Sequence, residues 1–272
     1  MTNEANRLPL GKPTAYPDRY DPSLLCPMGR AAAREALGIA RTLPFSGVDI
    51  WTAHEITWLD SRGKPQIAVG EFRVSAESPS LVESKSVKLY LGSFAQERVG
   101  TPGELARIIE GDLSRTCGTT VGVALVPLAQ APRVAELPGE SIDSLDVEIG
   151  TYLPDASLLT RGTASVEETL CSALFRSTCP VTGQPDYADV LVRYRGARID
   201  PTALLKYLVS YRRHAAFHEA CVERIFVDVA ERCNPDRLTV YARFLRRGGI
   251  DINPFRSNFE AAPERNERTP RQ

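Results

Sequence analysis

Histidine is scarce in this sequence, with three residues among 272, and the six cysteines form no C-x-x-C pair. Zinc ribbons need closely spaced cysteine or histidine ligands, and thioredoxin-like redox centres need a C-x-x-C pair. His218 and Cys221 would share a helix face at i and i+3, but no second ligand pair accompanies them. We therefore expect no metal site.

Charge excess and long apolar runs are also missing. The formal net charge is −1 and the pI is near 6.4, which argues against a general polyanion binder. No apolar run approaches the roughly 20 residues of a membrane-spanning helix. Residues 1–12 are polar and contain no hydrophobic signal region. We expect a cytoplasmic protein with no membrane contact and no direct contact with nucleic acid.

The apolar content of 43% is sufficient for one large domain or two of ordinary size. Residues 1–47 are rich in proline, glycine and small polar residues, and we expect an arm with a short helix over 29–37. Pro127, Pro132 and Pro138 mark a boundary between two halves. The predicted domains are therefore 1–135 and 136–272.

Each half is predicted to run strand, strand, helix, helix, strand, with a further final strand left open. Antiparallel hairpins with helices on one face define an α+β class, and two copies of one unit suggest a tandem repeat. The predicted strands are 49–59, 66–74 and 119–128, then 166–176, 190–194 (ended by Gly196) and 238–245. The predicted helices include Val87 to Phe94, one capped by Thr101, one capped by Asp200, and 217–232.

A cysteine followed by an acid is the most informative pattern. Cys179 leaves an apolar run and precedes Pro180, which favours an extended residue at a strand end. Asp186 follows seven residues later and could curl back on the same loop. A thiol beside a carboxyl group is a minimal unit for covalent catalysis with proton delivery. The alternatives are a buried structural cysteine and an ordinary turn aspartate after Pro185.

Three other stretches have both functional and structural interpretations. Glu83 could accept ligand N–H groups, or it could close a capping box begun by Ser80. His218 and Glu219 point about 100° apart on a helix, and His218 could equally be packed in the core. The stretch Arg246–Gly249 could approach a phosphate, or it could be a solvated basic turn. No G-x-G-x-x-G indicates a Rossmann mode of cofactor binding.

Residues 83–90 read E-S-K-S-x-K-x-Y, and Cys179, Phe217-His218-Glu219 and residues 246–254 fit a wider pattern. The sequence thereby resembles the NADPH-dependent 7-cyano-7-deazaguanine reductases, the nitrile reductases of the queuosine pathway. The likeness covers nearly the whole chain from about residue 10. The signature lies in the first half and the cysteine in the second, as in the long two-module subfamily.

The resemblance implies two tandem tunnelling-fold modules, a homodimer and NADPH as co-substrate. It implies Cys179 as a nucleophile that forms a covalent thioimide and Asp186 as the proton donor. For the substrate it implies Val82, Glu83, Ser84, His218 and Glu219. For NADPH it implies Ser84, Lys85, Arg247 and Gly248.

Two other functions stay open on the residues. A cyclohydrolase-like enzyme of the same fold group would need zinc held by Cys and His, which the low histidine count disfavours. A non-catalytic module could bind a purine-like base or tRNA through a basic patch. The candidate residues for that patch are Arg243, Arg246, Arg247 and Arg256.

Overall fold

The structure is a computed structural model that describes residues 16–39 and 42–272. The predicted arm therefore lies partly outside the described residues. The strands and helices, in chain order, are β1 (Pro27–Gly29), α1 (Ala31–Glu35), β2 (Ser46–Leu59), β3 (Pro65–Ser75), β4 (Ser80–Val82), α2 (Ser84–Gly92), α3 (Pro102–Cys117), β5 (Val121–Val126), β6 (Glu140–Ser141), β7 (Arg161–Thr178), β8 (Pro185–Ile199), α4 (Pro201–Val209), α5 (His218–Cys233), β9 (Arg237–Phe244) and β10 (Ile250–Ser257).

The predicted α+β class is confirmed. The order strand, strand, helix, helix, strand appears as β2, β3, α2, α3, β5 and again as β7, β8, α4, α5, β9. The predicted end of β8 at Gly196 is wrong, because the strand continues to Ile199. A Cβ on Gly196 would lie 2.9 Å from the Cα of Pro235, so this glycine permits a close backbone approach and does not end the strand.

The chain divides into two compact units, each built from several segments. The predicted functional division into 1–135 and 136–272 stays a prediction. The described residues of the first unit are 16–32, Asp49–Pro132 and Arg246–Asp251, and those of the second are 33–39, 42–48, Arg133–Leu245 and Ile252–Gln272.

In the first unit, β3 lies between β5 and β2, and β1 pairs with β4 in a separate two-stranded sheet. Helix α3 buries its apolar stripe and contacts β5. The Thr101 side chain caps this helix by accepting from the Glu104 N–H. The Glu104 carboxylate accepts from the Gly100 N–H, one residue earlier than a capping box requires.

In the second unit the strand order is β10-β9-β8-β7-β6. Strands β7 and β8 form a long antiparallel hairpin, and β6 pairs with β7 in parallel. Helix α4 contacts β7, and helix α5 contacts β8 and β9. Cys221, Ile225 and Val229 line the buried face of α5, as its helical spacing predicts.

Across the part of the chain that is described, no helix combines the length and the apolar character needed to cross a bilayer.

Candidate functional site

Cys179 is the first residue of the loop that connects β7 to β8. Cys179 follows the last residue of β7 directly, which confirms its predicted position at a strand end. Its N–H donates to the Gln184 carbonyl at 2.8 Å, and the Gly183 N–H donates to the Cys179 carbonyl at 3.0 Å. Gly183 has a φ of 68°, which suits glycine. The loop is thus closed by hydrogen bonds on both sides of the thiol residue, which is 5% exposed.

Asp186 lies on β8 and not on the loop, so the prediction of a loop carboxyl group is corrected. It is the second residue of the strand and pairs in register with Ser177, two residues before Cys179. Alternation along the strand buries Asp186 with Ala188 and Val190. The strand, not a flexible turn, therefore sets the position of this carboxyl group.

His218 begins α5 and faces Asp186. Its Nε2 lies 3.5 Å from Oδ2 of Asp186, an ion-pair distance longer than an ideal hydrogen bond. Its ring stacks on Phe244 with centroids 3.8 Å apart and planes at 3°. The buried Nδ1 of His218 has no hydrogen-bond partner within 16–39 or 42–272. The ring position is thus fixed by stacking and by the carboxylate.

Glu219 and Cys221 lie on the same helix. Glu219 is 5% exposed in the first turn, where the helix dipole favours a carboxylate. Burial, together with the charges of Asp186 and Glu219, raises the pKa of the Cys221 thiol to about 12 against a lowering effect of the Ser177 hydroxyl. Cys221 is therefore a protonated thiol at neutral pH, and none of the six cysteines is in a disulfide.

In the first unit, Glu83 is the N-cap of α2. Its Oε1 accepts from the Lys85 N–H at 2.7 Å and its Oε2 from the Ser86 N–H at 2.8 Å. The predicted alternative of a capping box begun by Ser80 is wrong, because Ser80 belongs to β4 and pairs with Gly29. Each carboxylate oxygen has two lone pairs, so the cap leaves acceptor capacity for a ligand.

Residues 82, 84 and 85 lie at the same junction between β4 and α2. Val82 ends β4 and is buried, while Ser84 and Lys85 open α2 and are half-buried. The Glu83 N–H donates to the Cys26 carbonyl at 2.9 Å, just before β1. This pairing fixes the backbone that presents the four residues.

Arg247 and Gly248 lie in a tight turn that leads into β10. The Arg247 N–H donates to the Ile250 carbonyl at 2.8 Å, and Gly248 and Gly249 have φ of 58° and 81°. A Cβ on Gly248 would lie 3.2 Å from Cδ, Cε and Nζ of Lys88. Bare backbone beside an ammonium group is a combination that suits a phosphate.

Lys88 is a residue that sequence analysis missed. Its spacing, four residues after Ser84 and three after Lys85, places it on the same helix face and was the available signal. The basic patch proposed for tRNA is not a surface patch, because Arg243 and Arg256 are 3% and 0% exposed. Across residues 16–39 and 42–272, no cluster of three His, Cys, Asp or Glu side chains could hold a metal.

Two family models match the chain. A model described as "Nitrile reductase, 7-cyano-7-deazaguanine-reductase N-term" matches residues 16–125, and one described as "QueF-like protein" matches 185–263. A Burkholderia vietnamiensis protein named NADPH-dependent 7-cyano-7-deazaguanine reductase is 53% identical over 97% of this chain and 98% of its own length. The chain belongs to this reductase family.

Two other members of the reductase family carry the same name. The Chromobacterium violaceum protein is 54% identical over 97% of this chain and 96% of its own length. The Paraburkholderia phymatum protein is 52% identical over the full length of both. The predicted family is therefore confirmed.

The candidate residues fall into two groups, each described within its own unit. The structure brings Asp186 and His218 together in the second unit, where Cys179 and Glu219 also lie. Positions 82–85 and the turn at Arg247 belong to the first unit. The ligand roles of all these residues stay predictions.

Proposed function

We propose that this protein reduces the nitrile of 7-cyano-7-deazaguanine to a primary aminomethyl group with NADPH, as a step of tRNA queuosine biosynthesis. The observation that carries the proposal is the 52–54% identity, over nearly the full chain, to proteins named for this activity. The reduction takes four electrons. NADPH supplies them as two hydrides, and the chain must supply or relay two protons.

Cys179 is proposed as the nucleophile. Its sulfur adds to the nitrile carbon, one C–N π bond breaks, and a C–S bond forms. The thiol proton passes to the nitrile nitrogen, so the product is a neutral covalent thioimide. The closed hairpin loop supports this role because it holds the thiol residue in one place. Hydride addition at the thioimide carbon and expulsion of the thiolate then leave an imine for the second reduction.

Asp186 is proposed to transfer the protons, with His218 beside it. The carboxyl group is 4% exposed and fixed on a strand, so proton transfer occurs away from bulk water. His218 at 3.5 Å can hold the carboxylate by charge when the imidazole is protonated. Glu219, on the next position of the helix, is proposed to accept N–H groups of the deazaguanine base.

Glu83 is proposed as a second base anchor, with Val82 and Ser84 lining the substrate. Its carboxylate is already oriented by two backbone N–H groups, so little rotamer freedom remains to be lost on binding. Ser84, Lys85, Arg247 and Gly248 are proposed to hold NADPH. We further propose two tandem tunnelling-fold modules, a cytoplasmic homodimer and no metal.

The test is NADPH oxidation that depends on 7-cyano-7-deazaguanine, followed by its absorbance. The proposal predicts two NADPH consumed for each aminomethyl product and no turnover by Cys179→Ala. Cys171→Ala is the control, because Cys171 is a free, half-buried thiol on β7 with no proposed role. Turnover on GTP that chelators abolish would instead indicate the cyclohydrolase alternative.

A further inference from the structure

Gln272 is buried and its side-chain amide is fully bonded. Its Nε2 donates to the Phe244 carbonyl at 3.0 Å and to Oδ1 of Asn253 at 2.7 Å. Its Oε1 accepts from Nε of Arg243 at 2.7 Å and from the Thr269 N–H at 3.0 Å. Two donors and two acceptor positions are all that a primary amide offers, so only an amide side chain satisfies this pattern.

The Gln272 amide donates to the Phe244 carbonyl and to Asn253, and Asn253 itself binds the N–H of Phe244. The Asn253 Oδ1 accepts from the Phe244 N–H at 3.2 Å, while Gln272 binds the Phe244 carbonyl. In β10 the neighbouring Pro254 has no N–H to offer a strand partner. The backbone of Phe244 at the end of β9 is thus fixed by two side chains.

Phe244 carries this constraint into the candidate site. Its buried ring stacks on the imidazole of His218 at 3.8 Å, and it meets Phe175 edge-on at 6.0 Å. The imidazole in turn faces Asp186 at 3.5 Å. A displacement of Phe244 would therefore change the distance between imidazole and carboxylate.

We propose that Gln272 is a positioning residue of the reductase. Its amide fixes the backbone of Phe244, the Phe244 ring fixes His218, and His218 holds Asp186 in the orientation for proton transfer. This inference rests on the proposed function. Displacement of a catalytic group by about 1 Å can lower the rate by up to roughly 100-fold.

The decisive variant is Gln272→Glu. It keeps the size of the side chain and the acceptor contacts to Arg243 and Thr269, but sets an oxygen against the carbonyl of Phe244. We expect kcat to fall roughly 10-fold with little change in KM for the nitrile. Adding Gln272→Glu to His218→Ala should cause no further loss, because both act through one imidazole.

If Gln272 had only a structural role, the double-mutant cycle would give a different result. The losses of Gln272→Glu and His218→Ala would then multiply, and Arg271→Ala would lower kcat as much as Gln272→Glu. Arg271 is the matched control because it belongs to the same segment but pairs with Asp189 instead. Either result overturns the proposal. Should Gln272→Glu fail to fold, Gln272→Met loses the same donors and is judged by the same cycle.

An activity-free measurement separates this proposal from the proposed function. The imidazole resonances of His218 should shift in Gln272→Glu and stay in place in Arg271→Ala. A wild-type protein without nitrile-dependent NADPH oxidation would refute the proposed function alone. Unshifted His218 resonances in Gln272→Glu would refute the positioning role, whatever the activity.

Discussion

The imidazole of His218 lies 3.5 Å from the carboxylate of Asp186 and stacks on the ring of Phe244. One partner sits at the start of α5 and the other on the second residue of β8. A helix terminus and a strand thus converge on the carboxyl group that we propose as the proton donor. The arrangement gives the acid a fixed position, which a loop carboxylate would lack.

Asp186→Asn should reduce kcat by about 10²- to 10⁴-fold, because the amide cannot donate a carboxyl proton. Substrate binding should change little, since the side chain keeps its size. Steady-state kinetics with fixed NADPH checks this. Asp189→Asn, three residues along the same strand, is the control and should retain turnover; equal kcat in Asp186→Asn and wild type would remove Asp186 from the mechanism.

Glu83→Ala should lose both a helix cap and a substrate contact. Loss of the cap should cost about 1 kcal/mol of unfolding free energy, measured in urea. Loss of the contact should raise the dissociation constant for the deazaguanine nitrile. Thr101→Ala removes the cap of α3 and serves as the control, with similar destabilisation and unchanged binding. Unchanged substrate affinity in Glu83→Ala would leave Glu83 with the capping role only.

Glu223 should make the second unit sensitive to acid. Burial raises the pKa of this carboxyl, but Arg256 and Arg34 lower it more, so the pKa lies below its ordinary value of 4.5. The ion pairs therefore stabilise the fold above that value, and this contribution is lost as the pH falls through the folded-state pKa.

The variant Glu223→Gln tests this directly. It leaves two guanidinium groups without their carboxylate and should cost roughly 3–5 kcal/mol at neutral pH. Its stability should also depend less on pH below 4.5 than that of the wild type. The exposed Glu231 on the same helix is the control, and Glu231→Gln should behave like wild type in urea titrations. Parallel pH curves for Glu223→Gln and wild type would contradict the assignment.

Features of the site that depend on neighbouring residues in the sequence, such as the strand end at Cys179, could be predicted. Pro180 indicated that Cys179 lies at a strand end, and the structure agrees, since Cys179 directly follows β7. The mistaken cap at Ser80 shows the limit, because Ser80 becomes a strand residue only by pairing with Gly29, far away in sequence. The contact of Gln272 with Phe244 is equally non-local and has no signal in composition or spacing.

The intact mass of the protein mixed with 7-cyano-7-deazaguanine in the absence of NADPH tests the role of Cys179 directly. We expect a gain of one substrate mass in the wild type, none in Cys179→Ala, and discharge of the adduct when NADPH is added. An adduct that persists in Cys179→Ala, or full turnover by that variant, would contradict the assignment of Cys179 as the nucleophile.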